Sequence, residues 1–196
     1  MGKIVVSENV TLDGVIEDPA GVEGFRHGGW VGRITDREEA GKAALDEALG
    51  AEALLLGRRS YEFLASLWPA RSGALADRLN GLPKYVVSSS LEEPDWNNST
   101  VLKGDPVDEV SKLKQELDGE IVVYASCQLV RTLMEHDLVD ELRLMVHPVA
   151  LGAGERLLDE TSDKQPMRLL DNRTVGDSLA LLAYEVKARE ELAGPR

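Results

Sequence analysis

Apolar residues along this chain follow two alternating rhythms. Short unbroken runs, "KIVVS" at 3–7, "ALLL" at 53–56, "KYVV" inside the segment 83–90, "STVLKG" and "EIVVYAS", have the length and β-branched content of buried strands. Between them the apolar positions spread to helical spacing. "TDREEAGKAALDEALG" opens with Thr35 or Asp36 as a cap, carries acids in its first turn and closes on Gly50. Arg58 to Leu67 reads as a second helix. "DPVDEVSKLKQELDG" is the clearest, with Asp105 to cap it, Pro106 at its first position, Val107, Val110, Leu113 and Leu117 along one side, and Gly119 after its end. "QLVRTLMEH" follows with Leu129, Val130, Leu133 and Met134 on one side. "DELRLMVHPVALG" reads as one longer strand ending in a glycine loop, and "MRLLDNRTVGDSLALLAYEVK" as a hairpin about Gly176-Asp177. The glycine-dotted stretch "TLDGVIEDPAGVEGFRHGGW" reads as irregular loop.

Strands alternating with helices and ending in a hairpin predict an α/β fold: a mostly parallel sheet, helices on both faces, and antiparallel strands at one edge. No linker or repeat divides the 196 residues, so residues 1–188 read as one domain and 189–196 as a polar, frayed tail. No apolar run approaches the roughly 20 residues of a membrane span, and the opening "MGKIVVSENV" lacks the apolar length and small-residue cleavage site expected of a signal peptide. The single cysteine, Cys127, excludes an internal disulfide and fits a cytoplasmic protein. With 22 basic and 35 acidic residues the net charge is −13, which argues against a nucleic-acid partner. It also makes a local pair of cations informative.

In such sheets ligands bind at the carboxyl ends of the strands. Three loops there carry candidate chemistry. Gly57, Arg58, Arg59 and Ser60 join a buried strand to a helix start, where free N–H groups and the helix dipole favour an anion such as phosphate; surface arginines paired with Glu62 are the competing reading. Ser88, Ser89 and Ser90 offer hydroxyls at a second strand end, although serines are also common turn formers. Ala125, Ser126, Cys127, Gln128 and Leu129 lead from a third strand into a helix. Neither the Rossmann glycine fingerprint nor a P-loop occurs.

"GRRSYE" after a buried strand, "VVSSSL", "VSENVTLDGVIEDP" and "LVDELRLMVHPVALGAGERLL" together resemble the dihydrofolate reductase-like family, in the branch that includes the reductase domain of bacterial riboflavin biosynthesis. The resemblance runs over residues 2 to 187. It implies a three-layer dihydrofolate reductase-like fold that binds NADPH across the same three loops. It gives Gly57 to Ser60 the pyrophosphate turn, Ser88 to Ser90 the neighbourhood of the adenosine 2′-phosphate, and Ala125 to Leu129 the second phosphate loop. The family prefers glycine at Ala125-Ser126, so the chain departs from its pattern there. The resemblance further implies hydride transfer to a small heterocycle, a pyrimidine or a pterin, and a homodimer built on strand 142–151 and the following "LGAGERLL". One cysteine cannot supply the zinc signature of the deaminase half found beside such reductases, so the chain is at most the reductase half.

Candidates for catalysis are Asp13 in "TLDG", which is equally a turn aspartate, and Asp36, for which helix capping is the favoured reading. Trp30, Tyr61 and Trp68 could line a pocket for a heteroaromatic substrate or belong to the core. His147 lies in an apolar strand and reads as structural, and His27 and His136 lack spaced partners, so no metal site is expected. The rival to a reductase is a non-catalytic nucleotide-binding or sensing module on the same scaffold.

Overall fold

Ala53, Leu54, Leu55 and Leu56 expose no surface, and the strand they form is the one around which the parallel half of the sheet assembles. The computed structural model describes residues 1–33, 36–158 and 164–189. Its elements in chain order are β1 (Lys3–Thr11), α1 (Arg37–Gly50), β2 (Ala51–Gly57), α2 (Arg58–Leu67), α3 (Ala74–Gly81), β3 (Lys84–Val87), β4 (Ser99–Leu102), α4 (Pro106–Glu116), β5 (Glu120–Tyr124), α5 (Cys127–Glu135), β6 (Glu141–His147), β7 (Met167–Val175) and β8 (Leu179–Val186). The eight strands form one sheet in the order β4-β3-β2-β5-β1-β6-β8-β7. The mostly parallel sheet with a carboxyl-terminal antiparallel hairpin is the arrangement the alternating pattern predicts.

Two compact units divide the chain, Met1–Val6 with Gly41–Glu141 and Ser7–Ala40 with Leu142–Arg196. In the first, β2 pairs in parallel with both β3 and β5, and β3 with β4. One face of β2 meets a core of Leu54, Leu56, Tyr61, Leu79, Leu82, Val86 and Trp96; each large apolar side chain so enclosed contributes about 1.5–3 kcal/mol. Asp105 caps α4 as its position predicts, its Oδ1 accepting the Val107 and Asp108 N–H groups at 2.9 and 3.2 Å. Along α5, Leu129, Val130, Leu133 and Met134 are the buried residues, the face its spacing marks.

The second unit holds the hairpin β7–β8, paired in register from Val175↔Leu179 to Met167↔Val186 with a bulge between Leu169 and Asp171. Gly176 turns it at φ 62°. The loop after β1 is organised by Asp18. Its Oδ1 accepts the N–H groups of Val22 and Glu23, its Oδ2 that of Phe25, and its backbone carbonyl those of Gly21 and Gly29. Burial works to raise the Asp18 pKa, but these backbone donors outweigh it and hold the carboxyl below its ordinary value. A Cβ on Gly28 would stand 2.4 Å from Asp18 Oδ2, so glycine is required there.

Two expectations are revised, and one helix falls where no element was predicted. The long strand predicted over 140–152 stops at His147, where Pro148 cannot extend the ladder. Residues 74–81 form a helix that the chain pattern hides behind Gly73 and Gly81. The first strand runs on to Thr11, into the stretch that reads as loop. The cap candidate Thr35 and residues 190–196 of the polar tail lie outside the described residues.

Lys84 and Glu8 are enclosed with no countercharge among the described residues. Lys84 has no exposed surface; its Nζ donates to the carbonyls of Asn80, Leu82 and Asn97 at 3.1, 2.8 and 2.9 Å and lies 4.4 Å from the centre of the Trp96 ring. Burial pulls its pKa down to about 8, which still leaves the ammonium as the dominant form at pH 7. Glu8, on β1, is half-buried as a residue, yet its Oε1 is closed to solvent and has no hydrogen-bond partner among the described residues. Burial pushes its pKa from 4.5 up to about 8.

Replacing Lys84 by methionine strands three carbonyls at once. Urea unfolding of Lys84→Met is expected to show a loss of about 2–3 kcal/mol, and an unchanged midpoint would refute the role given to its ammonium. For Glu8 the folded state keeps a proton that the unfolded state releases, so its contribution is full below about pH 4.5 and is lost as pH rises to about 8. Glu8→Gln should therefore flatten the fall in melting temperature across that window and be the more stable protein at pH 8.

Candidate active site at the strand ends

The hydroxyl of Ser126 draws two strand ends together. β2 and β5 are parallel neighbours, and each runs directly into a helix, α2 after Gly57 and α5 after Ser126. The Gly57 N–H donates to Ser126 Oγ at 3.0 Å, and the Ser126 N–H donates to Ser60 Oγ at 2.8 Å. Ser126 Oγ in turn donates to the carbonyl of Tyr124 at 3.0 Å. The amino-terminal turns of α2 and α5 are thus stitched side by side. Neither carries a side-chain cap, so their N–H groups and the positive ends of two helix dipoles face the same strand ends.

The third loop joins through Arg58. Its Nη1 donates to Ser90 Oγ at 2.6 Å and its Nε to Glu62 Oε1 at 2.7 Å. Arg58 thus pairs with the acid one turn along α2, the competing reading, and also reaches the serine loop. Arg59 is exposed beside it. Ser88 is buried and forms its own turn, Oγ accepting the Ser90 and Leu91 N–H groups at 3.2 and 3.0 Å. Ser89 is exposed next to it.

Ala125 and Ser126 both adopt left-handed backbone, at φ 51° and 65°. The conformation costs a residue with a Cβ about 1–2 kcal/mol, which gives a physical reason why glycine suits these positions. Ser126 offsets that with its three hydrogen bonds; Ala125 is exposed and has no side-chain group to do so. Gly57 presents the opposite case. Its φ is −76°, and a Cβ there would meet only ordinary contacts, 3.7 Å to Ser126 and 3.8 Å to Leu129. The fold does not require a glycine at Gly57. Cys127 is half-buried, Gln128 exposed and Leu129 buried in the same loop and helix turn.

The other candidates take different places. Tyr61 belongs to the core of the first unit at 1% exposure, its hydroxyl accepting the Trp96 N–H at 2.9 Å. Trp68 packs on that core under Arg71, whose guanidinium lies 4.8 Å from its ring centre. Tyr61 lies in that core and Trp68 packs against it, partly buried. In the second unit Trp30 lines a cavity of about 130 Å³ with Arg26, His27, Arg33, Val149 and Leu151. Its indole N–H donates to the Glu17 carbonyl, and its ring meets His147 edge-on at 5.1 Å. Burial pulls the His147 pKa down; its Nε2 lies 2.9 Å from Asn9 Oδ1, while its buried Nδ1 has no hydrogen-bond partner among the described residues.

The Asp13 carboxylate accepts three hydrogen bonds. Thr11 Oγ1 and the N–H groups of Leu151 and Gly152 donate to it at 2.6, 3.1 and 2.7 Å. The Thr11 hydroxyl and the Gly152 amide are the chief causes of a pKa lowered to about 2. A carboxylate held there carries no proton to give at neutral pH. Asp36 ties the residue before α1 to the hairpin turn: its Oδ2 accepts the Ser178 N–H at 3.0 Å and also the Ser178 hydroxyl. Glu8, Arg26 and Arg33 escaped the sequence reading, because a single acid in a strand and lone arginines in a loop have no spacing to mark them. Among the described residues no group of three or more His, Cys, Asp or Glu could hold a metal.

The solved structure of a putative riboflavin biosynthesis protein from Shewanella sp. PV-4 superposes with a TM-score of 0.73 at 21% identity, covering 95% of this chain and 99% of that one. Dihydrofolate reductase from Enterococcus faecalis, complexed with NADP(H), superposes with a TM-score of 0.61 at 12% identity, covering 95% and 97%. At these identities the likeness is one of fold, a reductase-type fold. The uncharacterized protein YyaP of Bacillus subtilis (strain 168) is 27% identical over 187 residues, 93% of this chain and 94% of YyaP. The family described as the RibD C-terminal domain matches residues 2–181, and with nearly the whole chain covered, the protein belongs to that family.

Proposed function

We propose that the protein is an NADPH-dependent reductase that transfers a hydride to a small heterocyclic substrate, a pyrimidine or a pterin. The observation that carries this reading is the stitched pair of uncapped helix starts at Gly57 and Ser126, with Arg58 and Arg59 at their edge. Two N–H-rich helix ends and two cations suit a pyrophosphate, and they stand out in a chain of net charge −13. Gly57, Arg58, Arg59 and Ser60 would hold one phosphate, and Ala125, Ser126, Cys127, Gln128 and Leu129 the other. Ser88, Ser89 and Ser90, with Arg58 reaching Ser90, would receive the adenosine 2′-phosphate that separates NADPH from NADH. When bound, NADPH supplies the hydride. The fold shared with a dihydrofolate reductase complexed with NADP(H) supports the assignment, as does the RibD C-terminal domain family.

The cavity walled by Trp30 is the proposed pocket for the substrate ring. Asp13 and Asp36 are assigned to positioning, since their carboxylates are taken up by hydroxyl and backbone donors. A homodimer in the cytoplasm, consistent with a single free cysteine, completes the reading. One observation favours the rival, a binding or sensing module: the two left-handed residues Ala125 and Ser126 put side chains where a glycine loop would leave room.

Titration of NADPH and NADH, followed by tryptophan fluorescence, tests the site. NADPH is expected to bind more tightly than NADH, with Arg58→Ala and Arg59→Ala each weakening it about tenfold or more. Gly57→Ala should weaken NADPH similarly while leaving stability within about 1 kcal/mol, since its backbone is ordinary. No binding of either nucleotide would overturn the assignment. Binding without turnover across a panel of pyrimidines and pterins would favour the sensing module.

A further inference from the structure

Every residue of β1 is buried or half-buried except Asn9, and β1 is an inner strand of the sheet. Inner strands of a three-layer fold are ordinarily covered on both faces, so an open carboxamide partway along one marks a place where the cover gives way. Its orientation is not left to solvent. Asn9 Oδ1 lies 2.9 Å from Nε2 of His147, a residue at 1% exposure. An amide oxygen only accepts, so Nε2 carries the imidazole proton and Nδ1 is left with a lone pair. Burial disfavours the charged ring and keeps this neutral form. The Nδ1 lone pair is closed to solvent and has no donor among the described residues. A buried acceptor without a partner is unfavourable, and an apolar ring of similar size would fill the space without that cost. What the imidazole adds is the one bond that fixes Asn9.

The same imidazole is tied to the cavity. Trp30, which walls it, meets the His147 ring edge-on at 5.1 Å, and the N–H of Val149, another lining residue, donates to the His147 carbonyl at 2.8 Å. We propose that Asn9 is a specificity-determining residue that reads the lactam edge of the substrate ring, and that His147 is its positioning residue. The inference rests on the reductase reading, with the cavity as the ring pocket. Once Nε2–H occupies one lone pair of Oδ1, the carboxamide keeps its second lone pair and two Nδ2 hydrogens, none with a partner among the described residues. It thus offers a donor beside an acceptor, which matches the adjacent C=O and N–H of a lactam much as an asparagine side chain pairs with a base edge. Uracil and pterin both carry that edge. A carboxamide turned by 180° would exchange its donor and acceptor, and the Nε2–H selects one of the two settings.

Calorimetric titration of the full chain, with and without saturating NADPH, tests the inference. The probes are pterin and uracil, each against a counterpart without the lactam N–H, 3-methylpterin and 1,3-dimethyluracil. The wild type is expected to prefer pterin or uracil over its methylated counterpart about tenfold or more. Asn9→Ala should bring that ratio close to one by weakening only the unmethylated ring. His147→Gln, whose amide N–H can stand in for Nε2–H, should keep most of the preference, whereas His147→Phe, which keeps the shape of the ring, should lose it. A role in packing alone predicts the reverse order for these two variants. Unchanged circular dichroism and NADPH affinity identify the variants as folded. A wild type without the preference, an Asn9→Ala protein that retains it, or a His147→Phe protein that matches His147→Gln would each overturn the proposal. Failure of the wild type to bind NADPH is a separate result: it overturns the reductase reading, while the ring ratios measured without NADPH still decide the role of Asn9.

Discussion

The hydroxyl of Ser126 is the contact on which the candidate site rests. Parallel strands place helix starts near one another as a matter of topology, but topology alone leaves their register free. Here one hydroxyl accepts from the backbone before α2, while the backbone of its own residue donates to the hydroxyl of Ser60. The two bonds are reciprocal, so neither loop can shift without breaking both. They also explain how a residue with a Cβ is tolerated at φ 65°: local hydrogen bonds offset the strain. Arg58 and Arg59 stand beside that alignment, in a chain whose acids outnumber its cations.

Much of the fold was legible because its signals are local. The apolar run 53–56, the Asp105-Pro106 start of α4 and the four-residue face of α5 each state their structure within one segment. What stayed hidden depends on contacts between distant segments or on competing local signals. Helix α3 is only eight residues long and lies between Gly73 and Gly81, so its turn formers outweigh the helical spacing of Leu75, Ala76 and Leu79. The strand predicted over 140–152 continues its apolar pattern past His147, but the proline breaks the hydrogen-bond ladder that the pattern alone cannot see.

The site divides in the same way. Gly57 to Ser60, Ser88 to Ser90 and Ala125 to Leu129 could be named from the ends of predicted strands, and the first unit links all three through the hydroxyls of Ser60, Ser90 and Ser126 and the guanidinium of Arg58. The aromatic candidates separated according to their surroundings: Tyr61 and Trp68 went to the core, while Trp30 reached a cavity wall. Glu8 is the plainest case of information absent from spacing. A lone acid in a strand looks like a solvent-facing residue until the groups around it are known, and only then does the missing partner of its Oε1 become visible.

The Asp18 clamp gives the glycine-dotted loop a property that its composition would not suggest. Five backbone amides, those of Gly21, Val22, Glu23, Phe25 and Gly29, converge on one residue. Such a segment does not fray amide by amide from its ends. It opens when Asp18 lets go and closes when it returns, so the conformational entropy of the whole loop is gained or lost in a single cooperative event.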